Sequence, residues 1–416
     1  MQLESPKRSS LRDALQTAAM ALMLVPATAK AQSDPGDRID VTSLFYGEQG
    51  RTQVVEPIVR FTHFLDGGQS VSGQLGIDVI TGASPTGAVP SGTVQTHTSP
   101  SGRTTSSSAG EIPTAHFSDR RISFDGDWQK PWGRFIISNV SGHISREKDY
   151  QSLGVNGTVS TELEHKLLTL TAGGGVYRDT VFPTGGTTAG LSDGTIIHTG
   201  GNDKNVSSVV LGASRILSRR WMVSVNGTRT FENGYLTEPY KIVSLLGHNG
   251  VPLGSLTENR PTTRDRSSLM VSSVYHLTED VLYTSYRYYW DTWDIRSHTL
   301  DLKYRHELGD GVYLEPLIRL YSQSAASFYT GALIQGAPLP DFASSDYRIG
   351  RLQTLTVGAT YGFHFEDAPG EWTVRGQYVR QAGDSSPPNA IGIQQRFDLS
   401  PPLNIYAVVV GYSFGY

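Results

Sequence analysis

The chain has 416 residues, of which 38% are hydrophobic and 18% charged, with a formal net charge of -4 and no cysteine. Its mean hydropathy of -0.28 excludes a bundle of transmembrane helices, and the lack of cysteine excludes disulfides, thiolate metal sites and cysteine nucleophiles. The mild acidity offers no basic face for nucleic acid, while 45 glycines and 20 tyrosines favour strands and turns over helices.

The N-terminus reads as a secretory signal over residues 1–31. Lys7, Arg8 and Arg12 form a basic region, "ALQTAAMALMLVPA" an apolar stretch too short to span a bilayer as a helix, and Ala29-Lys30-Ala31 a small-residue cleavage site before Gln32. Its removal takes the net charge to about -6, since the segment carries more basic than acidic residues.

Residues 32–416 then read as a single unit of alternating strands. Residues 70–80 set Val71, Leu75, Ile77 and Val79 against Ser72, Gln74, Gly76 and Asp78, and residues 151–163 and 299–305 repeat the pattern. Residues 354–365 set Leu355, Val357, Tyr361 and Phe363 against Thr354, Thr356, Gly358 and Thr360. Period-two alternation of this kind gives one apolar and one polar face per strand. The sequence predicts sixteen strands between residues 38 and 416. The first, "RIDVTSLFYGE", alternates poorly, and the even parity depends on it.

The connections choose between a soluble sandwich and a membrane barrel. Very short turns ("DGGQ", "EHK", "SRR", "GDG") alternate with links that include the long segments 81–117, 178–203, 233–263, 325–349 and 383–402. With the C-terminus in the periplasm, all the long links fall on the extracellular side, the asymmetry of an all-β, transmembrane antiparallel barrel of the outer-membrane type. The crowded aromatics Tyr283, Tyr286, Tyr288, Tyr289, Trp290 and Trp293 read as an interfacial girdle. The ending "GYSFGY" supplies Gly411, Tyr412, Phe414 and Tyr416 as a C-terminal signal for barrel-assembly machinery.

Polar-face charges are the candidate lumen lining: Glu56, Arg60, Asp78, Arg121, Asp125, Asp127, Asp301, Lys303, Arg305, Glu315, Arg319 and Arg375. "VVEPIVRF" and "YLEPLIRL" echo each other; their Glu and Arg lie four residues apart, about 13 Å along a strand, so each must pair across to a neighbouring strand. Pro57 and Pro316 remove ladder donors and predict local bulges. Mixed signs on the inner wall compensate one another or set up a transverse field that orients a polar solute. The Ser/Thr/Gly/Pro tract at 81–111 is either a flexible surface loop or one that folds inward to constrict the pore or close over a partner.

Catalytic and metal signatures are weak. Asp125-Gly126-Asp127 lacks the six or more oxygens of a calcium site, the histidines show no metal-ligand spacing, and Ser141/His143 and Ser273/His276 are chance pairings in a Ser-rich chain. No enzyme, cofactor or resident metal is expected, and a surface hydrolase is the least favoured reading.

At "YGEQGR", "VVEPIVRFTHFLDGG", "DVITGASPTGA", "LEPLIRLYSQSAASFY" and "ASSDYRIGRLQTLTVG" the chain resembles the bacterial family catalogued as domain of unknown function 3570. The resemblance implies an exported outer-membrane barrel. It also implies envelope redox assembly, since members are often encoded beside a flavin-transferring lipoprotein enzyme, although no flavin-attachment, haem or thiol motif stands in this chain. The functional expectation is a pore for small polar solutes; the alternative is a scaffold that holds a periplasmic or surface partner, which the resemblance allows to be redox-active. Membrane lipid is the expected surrounding.

Overall fold

The computed structural model describes residues 36–98, 104–194, 197–198, 202–365, 368–385 and 390–415. The signal sequence at 1–31 and Tyr416 lie outside the described residues, as do parts of the links at 81–117, 178–203 and 383–402.

Among the described residues sixteen strands close into one barrel: β1 (Arg38–Glu48), β2 (Gln53–Leu65), β3 (Gln69–Pro85), β4 (Thr114–Trp132), β5 (Ile136–Arg146), β6 (Tyr150–Leu163), β7 (Leu168–Val181), β8 (Asn202–Ser218), β9 (Trp221–Gly234), β10 (Thr263–His276), β11 (Val281–Asp291), β12 (Arg296–Gly309), β13 (Val312–Gln323), β14 (Leu352–Phe365), β15 (Ala368–Ala382) and β16 (Leu403–Gly415). Each pairs antiparallel with its chain neighbours, and β1 closes the ring against β16 with Arg38 opposite Gly415 and Glu48 opposite Ile405. The weakly alternating first strand is therefore a full member. Pairing on both edges fixes it, and that stabilises a strand whatever its own pattern.

The pleat decides what lipid meets. Val55, Val59, Phe61, Leu75, Ile77, Val155, Leu211 and Ile318 are each about half exposed and point outward, while their sequence neighbours point in. A soluble protein could not leave so continuous an apolar belt uncovered; bilayer hydrocarbon covers it here.

The two barrel ends differ. Termini and turns of a few residues occupy one end, and the links 86–113, 182–201, 235–262, 324–351 and 383–402 gather at the other with three tight turns. β3 and β4 run past the sequence-predicted limits to Pro85 and Thr114, so their ladder rises above the apolar belt. Gly82 makes this extension feasible: at a φ of 145° its ideal Cβ would stand 2.3 Å from the Arg51 carbonyl oxygen.

Two sequence expectations need correction. Neither Pro57 nor Pro316 makes a bulge. Pairing on both sides of each continues in unchanged register, from Val55↔Val79 to Ile58↔Gly76 and from Lys303↔Leu317 to His306↔Leu314, with two residue pairs omitted at each proline, which has no N–H to donate. The aromatic cluster is not one girdle either. Tyr286, Tyr288 and Trp290 face outward, Tyr283 and Tyr289 face inward with Lys303 and Ser297 opposite them, and Trp293 is buried in the turn after β11 against Phe328. Alternation cannot put consecutive residues on one face.

Candidate functional site

Strand register places all twelve candidate charges on the inward face, where they fall into two groups. In the β2–β5 group, Arg121 binds Asp78 and lies 3.5 Å from Glu56, Arg60 reaches Asp127 at 3.4 Å and donates to Ser72 at 2.8 Å, and Asp125 meets His143 at 2.5 Å. In the β12–β15 group, Arg319 binds Asp301 at 2.5 Å, Lys303 lies 3.4 Å from Glu315, Arg305 binds Glu307 at 2.5 Å, and Arg375 donates to Thr360 at 3.0 Å. None of the four charged residues of the repeated Glu/Pro/Arg motif pairs within it, because four residues of strand separate them too far: Glu315 and Arg319 pair to the adjacent β12, while Glu56 and Arg60 reach past β3 to Arg121 and Asp127 on β4.

The register also exposes inward charges that sequence reasoning missed: Asp119, Asp179, Lys204, Glu232, Arg264, Arg266, Arg287 and Asp291. Lys204 pairs with Asp179 at 3.0 Å, Arg266 with Glu232 at 2.7 Å and Arg264 with Asp291 at 2.6 Å. The signal was available in "TRDRSS", where alternation puts Arg264 and Arg266 on one face. Summed round the wall, carboxylates exceed cations on β2–β7, whereas cations exceed carboxylates on β8–β15. Arg287 and Arg375 make no ion pair with the described carboxylates. The lumen therefore has an acidic arc facing a basic one.

Burial changes along the axis. On β4 the inward residues Ala115, Phe117, Asp119, Arg121 and Ser123 are buried, while Asp125 and Asp127 are partly buried and Gln129 is exposed. The covering comes from the long links, which fold into the mouth. Residues 242–246, 252–257 and 332–334 form a small sheet, and Ile242 N–H donates to the Thr86 carbonyl at 2.9 Å. Val89 N–H donates to Ser244 Oγ at 3.0 Å, Leu191 N–H to Thr257 O at 3.0 Å, and Gln394 Nε2 to Pro90 O and Gly250 O at 3.0 and 2.8 Å. All five long links thus interlock. Tyr240 carries the sheet down onto the inner wall, where it packs with Ile80, Ala115 and Phe117.

A buried ionic latch ties this plug together. Arg348 grips Asp346 from Nε at 2.7 and 2.8 Å to the two oxygens and lies 3.6 Å from Glu238; Arg260 bridges Asp346 at 2.8 Å and Glu258 at 2.6 Å. Lys241 Nζ donates to Ser84 Oγ at 3.2 Å and to the Pro85 carbonyl, anchoring the same loop to β3. Three carboxylates meet three cations here. Burial pushes Glu238 up to about 8 despite Arg348, and pushes Lys241 down to about 8; burial would also raise Asp346, but Arg348, Lys241 and Arg260 hold it far below the usual carboxylate range. Only their scattered positions in two separate loops, 235–262 and 324–351, kept these residues out of a sequence-based reading.

The weaker motifs dissolve. Ser141 lies beside Asn156 while His143 engages Asp125, and the Ser273 hydroxyl accepts from Trp221 Nε1 at 2.8 Å, so neither Ser/His pairing forms. At the C-terminus Gly411 faces inward, where a Cβ would stand 2.6 Å from Thr373 Oγ1, and Tyr412 faces outward, stacked on Trp372 at 4.5 Å and on Phe414 at 5.1 Å.

A closed sixteen-stranded antiparallel barrel with an apolar belt, a charged inner wall and one loop-filled end is a barrel of the outer-membrane type. The chain belongs to the family described as "Protein of unknown function (DUF3570)", whose model matches residues 12–414. No curated protein matches it. Among solved structures it is similar to a mutant ferric enterobactin receptor of Pseudomonas aeruginosa (10% identity, 91% of this chain and 60% of that one, TM-score 0.43), to the Pseudomonas putida toluene transporter TodX (10%, 95% and 93%, 0.38) and to the outer-membrane protein opdK of P. aeruginosa (8%, 92% and 99%, 0.41). The chain thus spans about 60% of the receptor's length.

Proposed function

We propose that the protein is a gated outer-membrane pore for small polar solutes, with no enzymatic role. The opposed acidic and basic arcs of the inner wall carry this reading: they serve no folding purpose that apolar residues would not serve better, but they orient a dipolar or zwitterionic solute in transit. The solvated half of the lumen is the vestibule, and the interlocked loops are the gate. The closed mouth also favours a second reading, a scaffold that binds a periplasmic or surface partner at one end and conducts nothing.

Planar-bilayer recording separates the two. A gated pore gives low current at rest and more frequent openings when the latch is weakened by Arg348→Met. Silence from both proteins, each shown to be folded by heat-modifiable mobility on gels, would eliminate the pore and leave the scaffold.

A further inference from the structure

The acidic arc ends, just beneath the plug, in a group of carboxylates that no ion pair described above explains. Asp119 comes from the upper inward face of β4, and Glu147 and Asp149 come from the tight turn between β5 and β6. One oxygen from each lies within 4.8 Å of the other two, and the three residues are only 2%, 5% and 4% exposed. Carboxylates so close and so dry cannot all stay ionised unless a positive charge sits among them; without one they take up protons.

For Glu147 the nearest cation falls short. Arg121 is bound to Asp78 and lies near Glu56, and its Nε stands 4.0 Å from Glu147 Oε1, beyond hydrogen-bond reach. Independently of the spacing, Glu147 Oε2 and Asp149 Oδ1 are fully buried and receive no hydrogen bond. Buried carboxylate oxygens are almost always satisfied, so a pair of orphaned ones marks a place where a ligand is wanted. Asp149 spends its other oxygen on Tyr240, whose hydroxyl donates at 2.7 Å. Above and beside the group lie Ile80, Ala115 and Phe117, which bring no competing donor.

We propose that Asp119, Glu147 and Asp149 bind one hard divalent cation of calcium's size. Calcium takes carboxylate oxygens at about 2.3–2.6 Å, so oxygens up to about 4.6–5.2 Å apart can share one ion, and the observed spacing lies within that limit. Water completes the coordination. Because Asp149 holds Tyr240, the ion links the barrel wall to the loop that fills the mouth, and its removal loosens that loop. This site is independent of whether the barrel conducts.

The test uses the full barrel in detergent, stripped with a chelator and dialysed against calcium. About one calcium per chain is expected, with Mn²⁺ competing and giving an immobilised spin-resonance signal. Glu147→Gln/Asp149→Asn should abolish uptake and remove the calcium-dependent protection of residues 235–262 from protease, whereas Asp301→Asn, in the distant basic arc, should retain both. Heat-modifiable mobility verifies that each variant folds. No stoichiometric uptake by the wild type, or uptake undiminished in the double variant, would overturn the site.

Discussion

At the scale of single residues, the same side chain has opposite consequences on the two faces of one strand. Leu211 of β8 points outward and is 61% exposed to the surroundings, which in the membrane means exposed to acyl chains. Leu211→Arg should destabilise the barrel by about 2–4 kcal/mol, as a cation near the bilayer midplane does; refolding into lipid vesicles at graded denaturant measures it. A change much below that range would place Leu211 outside the hydrocarbon layer. Arg348 is costly for a different reason: Arg348→Met leaves Asp346 and Glu238 buried with one shared cation fewer, so loop closure should lose about 3–5 kcal/mol. Protease cleavage within 324–351 should then appear while the barrel stays intact.

At the scale of elements, the plug should respond to pH in a calculable direction. The Glu238 carboxyl titrates higher in the closed state than the ordinary value near about 4.3, so the closed state holds the extra proton between the two. Closure is therefore strongest at the acidic side and weakens as pH rises towards about 8. Lys241, pushed downward, has the opposite sign and acts only at more alkaline pH; Asp346, held low, matters only in strong acid. Cleavage of residues 235–262 should thus be faster at about pH 8 than at about pH 5, and Glu238→Gln should flatten the difference. The elements differ equally in how far the sequence discloses them. Barrel strands such as β14 are legible because one face meets lipid and the other water, so every second residue is constrained. The plug is illegible because Tyr240, Lys241, Asp346 and Gln394 meet only through tertiary contacts between separate loops, with no period to connect them. Asp119, Glu147 and Asp149 escaped for the same reason: a strand and a turn bring them together, and two of the three follow the last residue of an alternating run.

At the scale of the whole molecule, the question is whether the loops are the resistance to flow. Residues 86–90 are inside the plug, bonded to Ile242 and Ser244, whereas the hairpin formed by Gln95–Thr98 and Thr104–Ser107 starts beside Val94, which is 66% exposed, and its Gln95 Nε2 donates to the Val89 carbonyl at 2.8 Å. The two halves of one link should therefore behave differently. Replacing residues 94–108 by a short turn keeps the bonds of residues 86–90 to Ile242 and Ser244, losing only that from Gln95 to Val89, and should leave single-channel current unchanged. Replacing all of 86–113 is structurally permitted, because Pro85 and Thr114 already face each other across the β3–β4 ladder. That deletion also takes away the carbonyl that holds Ile242 and the Pro90 carbonyl that holds Gln394, so the sheet at 242–257 loses its anchor on this side of the mouth. Current should rise for the longer deletion alone. Equal currents from both, in barrels that remain heat-modifiable, would mean that the constriction lies deeper, between the acidic and basic arcs themselves, and that charge rather than loop packing sets the passage.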